Sequence, residues 1–150
     1  MTDISLEVVI CPPPLRVLAF LAGVDDEFAT PLSHRVNLES YSEKLAANAW
    51  HCFAVANDQD VGHLAFYVDD EKRTAFVSSV AVNAAFQRQG VGAAMLDSVV
   101  KRCRTSSIKR ISLEVSSTAT GASEFYQCLG FTKTSSSEAT TLIRMSKIIT

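Results

Sequence analysis

The chemistry legible in this sequence lies where Val80-Ala81-Val82 gives way to Asn83-Ala-Ala-Phe and then to Gln87-Arg-Gln-Gly90-Val-Gly92-Ala-Ala. Two glycines without a Cβ let a ligand approach the main chain closely, and the first N–H groups of a helix have no partner within it. With the helix dipole they present roughly half a positive charge to an anion, so a phosphate group fits there. The flanking residues supply the required elements. Ala75 to Val82 is apolar and β-branched enough for a buried strand, and Leu96, Val99, Val100 and Cys103 recur at helical spacing.

Spacing sorts the phosphate ligands. A P-loop needs Lys and then Ser or Thr after its second glycine, whereas Ala93 and Ala94 follow Gly92. A dinucleotide-binding turn shares two glycines and finds an acidic residue, Glu114, near the end of the next strand. Against it, Met95 stands where a third glycine should allow close helix packing, and Asn83 to Gln89 is long for a tight strand-to-helix turn.

Gln87-x-x-Gly90-x-Gly92, after a strand ending Val80-Ala81-Val82, resembles the acetyl-CoA signature of the GNAT family of N-acetyltransferases. The resemblance implies that Val80, Ala81 and Val82 face the pantetheine arm of acetyl-CoA. It also implies that Gln87, Arg88, Gln89, Gly90, Val91, Gly92 and Ala93 face its pyrophosphate. A second block, Ala122-Ser-Glu-Phe-Tyr126-Gln-Cys-Leu-Gly130-Phe131, is similar to the family's late helix. Gly130 suits a left-handed position closing a helix from about Ala119 to Leu129, with Phe131 opening a strand. By the same resemblance Tyr126 is the catalytic acid that protonates the departing thiolate; without it, Tyr126 is a half-buried aromatic on an amphipathic helix. The family commonly has an asparagine seven residues before this tyrosine, and here that position is Ala119.

Composition bounds the rest. With 150 residues, 47% hydrophobic and 20% charged, the chain is expected to form one domain. A net charge of −2 argues against nucleic acid as a partner. Asp3 and Glu7 interrupt the apolar start, and Val17 to Val24 is too short to span a bilayer, so a cytoplasmic protein without membrane attachment is expected. Cys11, Cys52, Cys103 and Cys128 lack paired spacing and read as free thiols in mostly apolar settings. His34, His51 and His63 form no ligand pair at helical spacing, so no metal is expected.

The expected elements are a strand Ile4 to Ile10, helices Leu15 to Gly23 and Leu38 to Ala49 with Asn37 as N-cap, and strands His51 to Ala56 and Val61 to Val68 around the turn Asn57-Asp-Gln-Asp60. The strand ending at Val82, the helix after Gly90, the strand Arg110 to Val115, the late helix and a closing hairpin of Thr132 to Thr134 with Thr141 to Ile148 follow. Such an order makes an α/β fold with a mixed, mostly antiparallel sheet and helices on both faces. It is also the order of the GNAT family, so the resemblance extends over nearly the whole chain, although its motifs cover only Val80 to Phe131.

Acetyl transfer needs a neutral amine, a polarised thioester carbonyl and a proton for the thiolate. By the resemblance, the Val82 N–H polarises the carbonyl and Tyr126 supplies the proton. No carboxylate lies in Phe76-Val-Ser-Ser79, where some relatives carry a glutamate base; Glu27, His34, His63, Asp69 and Asp70 are the remaining candidates. The acceptor is expected to be the primary amine of a small molecule, met by Phe28 to Asn37. Arg35 there suits an anionic acceptor such as an amino acid or a nucleotide-linked amino sugar, and His63 is a second acceptor candidate. The competing class is an acyl-CoA-binding or regulatory module that keeps the fold without the chemistry. Homodimerisation through the last strands is common in the fold.

Overall fold

The computed structural model describes residues 3–27, 31–117, 121–136 and 141–149. Seven strands form a sheet in the order β1-β2-β3-β4-β5-β7-β6: β1 Ile4–Ile10, β2 Trp50–Ala56, β3 Gln59–Asp69, β4 Thr74–Val82, β5 Arg110–Ser116, β6 Thr132–Ser136 and β7 Leu142–Ile148. The helices are α1 Pro14–Val24, α2 Leu38–Asn48, α3 Val91–Thr105 and α4 Ala122–Cys128. The expected mixed, mostly antiparallel sheet is present. Differences are confined to element ends. Polar Gln59 and Asp60 join β3 because they pair with Ala56 and Val55, and β6 runs on to Ser136 because Ser135 and Ser136 pair with Arg144 and Ile143. The expected start of the late helix at Ala119, and the family's asparagine position there, lie outside the described residues; the described helix starts at Ala122.

Two compact units divide the chain, residues 1–67 with 78–99 and residues 68–77 with 100–150. In the first, β2 pairs antiparallel with β1 and β3. Proline fits the first turn of α1 because its missing N–H would be unpaired there anyway. Val17, Phe20, Leu21 and Val24 then recur at helical spacing and are buried. Asn37 caps α2, its Oδ1 accepting from the Ser40 N–H at 2.9 Å. These helices share a core with Phe53, Ala65 and Ala81 on one face of the strands. On the opposite face α3 lies close to the sheet. A Cβ on Gly62 would come within 3.1 Å of the Met95 Sδ and of the Ala54 Cβ.

In the second unit β5 pairs antiparallel with β7, which pairs with β6. Ile111, Leu113, Val115 and Met145 alternate inward, as the period of two requires. The parallel ladder of β4 with β5 covers only Thr74–Phe76 against Arg110–Ser112, although β4 runs on to Val82.

Of the cysteines, Cys52 and Cys103 are buried and Cys11 and Cys128 are exposed, so apolar surroundings hold for two of the four. Burial pushes the thiols of Cys52 and Cys103 up to about 11. No helix among the described residues is long and apolar enough to cross a membrane.

Candidate active site

The segment expected to meet the cofactor lies in the first unit and is built by the end of β4, a one-turn helix Ala84–Phe86 and the start of α3. Asn83 opens the turn, its Oδ1 accepting from the Ala85 N–H at 3.0 Å. The Asn83 N–H donates to the Val61 carbonyl at 2.8 Å, tying the end of β4 to β3. Gln87 returns toward the strand, its Nε2 donating to the Val82 carbonyl at 3.0 Å, and Gln89 Nε2 donates to the Ala85 carbonyl at 3.1 Å. The loop that looked long for a tight turn is thus a compact one, stapled by three side-chain amides.

Gln87, Arg88, Gln89 and Gly90 are exposed. Gly90 has φ 81°, left-handed backbone that a Cβ would oppose, and this bend sets the direction of α3. Arg88 adopts φ 64° despite its side chain, a conformation that costs about 1 kcal/mol or more and recurs at ligand clamps. The first intrahelical bond here runs from the Ala94 N–H to the Gly90 carbonyl at 2.9 Å, so the amides of Val91, Gly92 and Ala93 precede the ladder. No acidic residue occupies the first turn of α3. A pyrophosphate fits: donors, dipole and Arg88 favour negative charge, and no carboxylate of that turn opposes it.

Val80 and Val82 are half-buried, while the Ala81 side chain belongs to the core beneath α1 and α2. All three lie beyond the three-residue ladder with β5, so their main chain on that side is outside it.

Tyr126 lies in the second unit, on α4. Its phenol is raised above its ordinary value by burial, and like any tyrosine it is protonated at neutral pH. The helix ends in a left-handed cap, with Gly130 at φ 95°, its N–H donating to the Gln127 carbonyl and the Phe131 N–H to the Tyr126 carbonyl, both at 3.0 Å. Lys147 Nζ donates to the Leu129 carbonyl at 2.8 Å.

Among the acceptor and base candidates, His34 and Arg35 are exposed, at and just after the end of the turn Leu32–His34. Asp25 holds that turn by accepting from the Ser33 N–H at 2.9 Å and from Ser33 Oγ. Glu27 ends the turn Asp25–Glu27. Phe28 lies outside the described residues. Asp69 accepts from the N–H groups of Glu71 and Lys72, both at 3.1 Å, as a turn residue does, and Asp70 is exposed.

His63 has no exposed surface and no face to offer an acceptor in this conformation. His51, equally buried, donates through Nε2 to the Leu45 carbonyl at 2.8 Å. Neutral His51 therefore accepts at Nδ1, from His63 Nε2 at 2.9 Å. The β2–β3 register creates this pair from residues twelve apart, as Phe53 lies opposite His63 and His51 opposite Ala65. Sequence spacing alone did not announce it. Nearby, Arg16 lies 3.8 Å over the Phe53 ring and pairs with Asp60 at 2.8 Å and with Glu7.

The fourth strand of this mixed seven-strand sheet feeds a helix start whose first amides stand outside the ladder. The chain belongs to the Acetyltransferase (GNAT) family, which matches it over residues 21–131. This family uses acetyl-CoA as its acyl donor. The fold is shared with an acetyltransferase of the GNAT family from Streptococcus pneumoniae, at 18% identity and TM-score 0.77, over 99% of this chain and 100% of that one. It is shared with the ribosomal-protein-S18-alanine N-acetyltransferase from Escherichia coli, at 17% identity and TM-score 0.76, over 97% and 95% of the two chains. A third such structure is the PaiA N-acetyltransferase from Thermoplasma acidophilum, in complex with coenzyme A, at 11% identity and TM-score 0.72, over 97% and 99%. No curated protein matches the chain.

Proposed function

We propose that the chain is a single acetyltransferase domain that moves the acetyl group of acetyl-CoA directly to the primary amine of a small-molecule acceptor. The observation that carries the reading is the passage of β4 beyond its short ladder with β5 into the loop Gln87–Gly90 and the unladdered amides of Val91, Gly92 and Ala93. In this reading those amides and Arg88 hold pyrophosphate, and the main chain of Val80, Ala81 and Val82 lies along pantetheine. Acetyl-CoA supplies an activated thioester. The Val82 N–H polarises its carbonyl, and the Tyr126 hydroxyl, protonated at neutral pH as a tyrosine is, gives its proton to the departing sulfur.

Exposed Arg35 supports an anionic acceptor, because its guanidinium takes a carboxylate or phosphate in a bidentate manner. The amine reaches its neutral form through water, since no candidate carboxylate or imidazole among the described residues is arranged as a dedicated base.

A thermal-shift series with acetyl-CoA, coenzyme A, NAD and ATP tests the donor. At about one hundred times Kd a ligand adds about 2.7 kcal/mol, a shift of several degrees for a domain of this size. Selective stabilisation by the first two is expected; stabilisation by NAD alone would overturn the reading. Amino acids, amino sugars and a peptide N-terminus then form the acceptor panel, and turnover of the peptide alone would replace the small-molecule acceptor by a protein one.

A further inference from the structure

We propose that Gln87 is a positioning residue: it acts through the Val82–Asn83 peptide and orients the end of β4 rather than gripping the pyrophosphate. The inference rests on the acetyl-CoA reading above. That peptide is held at both poles, because Gln87 Nε2 donates to the Val82 carbonyl at 3.0 Å and the Asn83 N–H donates to the Val61 carbonyl at 2.8 Å. A planar peptide fixed at both its oxygen and its N–H cannot swing about the bonds that flank it. Its plane sets ψ of Val82, and the Val82 N–H stands on the other side of the same Cα. The clamp thus restrains one of the two dihedrals about the Cα that carries the N–H proposed to polarise the thioester carbonyl.

The surroundings serve the same clamp. The β2–β3 register pairs Ala54 with Gly62 and then Val55 with Asp60, so Val61 is the extra residue of a bulge at the point where its carbonyl meets Asn83. The turn Ala84–Phe86, closed by Asn83 Oδ1 and Gln89 Nε2, brings Gln87 back over the strand it has just left. Arg88, next in the chain and exposed, remains the cation for the phosphates. The signature glutamine and the arginine beside it thus divide two tasks, geometry for the first and charge for the second.

The test compares Gln87→Met, which keeps length and loses the donor, with Gln87→Arg, which keeps a donor. In the free protein, amide hydrogen exchange at Asn83 accelerates in Gln87→Met and stays slow in Gln87→Arg. With acetyl-CoA, turnover is followed by loss of thioester absorbance with hydroxylamine as a small neutral nucleophile. Gln87→Met lowers kcat about tenfold while Kd for coenzyme A changes less than about twofold, and Gln87→Arg recovers most of kcat. A raised Kd with unchanged kcat, or unaltered exchange at Asn83, overturns the proposal. Failure of the unsubstituted protein to bind coenzyme A would overturn the functional reading instead, and the exchange measurement then decides the clamp by itself.

Discussion

The N–H of Phe131 donates to the carbonyl of Tyr126 at 3.0 Å, and their rings meet edge to face, centroids 5.8 Å apart and planes at 70°. One residue pair thus joins the last main-chain bond of α4 to the apolar contact that seals such caps. Phe131 is buried and fixed, so the Tyr126 ring has a rigid wall against one edge. Burial raises the phenol above its ordinary value.

Replacing Tyr126 by Phe removes the hydroxyl and keeps this ring contact. The variant is expected to fold as the parent does, with an unchanged circular dichroism spectrum. Its kcat should fall about 10²-fold, as loss of a general acid does. Turnover within about threefold of the parent would take the acid role from Tyr126.

Gly130 and Gly23 are expected to respond oppositely to alanine. At Gly130 the backbone has φ 95° and a new Cβ would come within 3.3 Å of the Lys147 side chain, so Gly130→Ala costs about 1–2 kcal/mol, mostly from the left-handed conformation. At Gly23, inside α1, a Cβ meets nothing within 4 Å, and alanine gains about 0.5–1 kcal/mol from helix propensity. Urea midpoints of the two variants measure both. Equal effects would mean that the cap of α4 contributes nothing specific.

These elements were legible because local chemistry decides them. Gly130 before Phe131, Asn37 before an apolar helix period and Gly90 before Val91 each answer to residues a few positions away. The long alternation of β5 was equally plain. The β2–β3 bulge was not, because Val61 becomes an extra residue only through its partners on the other strand. The His51–His63 bond depends on the same cross-strand register, and a reading by spacing leaves His63 free to face an acceptor. Met95 marked the absence of a third signature glycine. Its counterpart, Gly62 beneath it on β3, emerged only in three dimensions, where the small residue stands on the sheet rather than on the helix.

Acid should weaken the fold before the carboxylates titrate. Burial lowers His51 below its ordinary value of 6.5 and lowers His63 to about 3, with the charge of Arg16 acting in the same direction on both. Well above pH 6.5 both rings are neutral in either state and contribute no pH dependence. Below it the unfolded chain takes up protons that the folded chain refuses, and stability falls by up to about 1.4 kcal/mol per pH unit for each ring. In His63→Gln the amide can still donate to His51 Nδ1, and one of the two protons is gone. The slope of unfolding free energy between about pH 6.5 and 5, from urea titrations, should therefore be shallower than that of the parent. An unchanged slope would show that His63 carries a proton in the folded protein.

The missing Cβ of Gly62 lets Met95 of α3 lie close over β3, and Met95 stands one turn from the amides of Val91 to Ala93. Alanine there would bring its Cβ within 3.1 Å of the Ala54 Cβ, the Met95 Cε and the Met95 Sδ. The Ala54 contact cannot swing away, whereas the end of the Met95 side chain can. Gly62→Ala should cost about 1–3 kcal/mol by overpacking and should also raise the Kd for coenzyme A, because the helix start is displaced with Met95. Shortening Met95 separates the two contributions. Met95→Ala alone leaves a cavity and costs about 2–5 kcal/mol, but in the double variant the new Cβ fills part of that space. The double variant should therefore be more stable than the sum of the single losses predicts, by about 0.5–3 kcal/mol, with binding partly restored. Strict additivity would locate the strain at Ala54 and leave the position of α3 independent of Gly62.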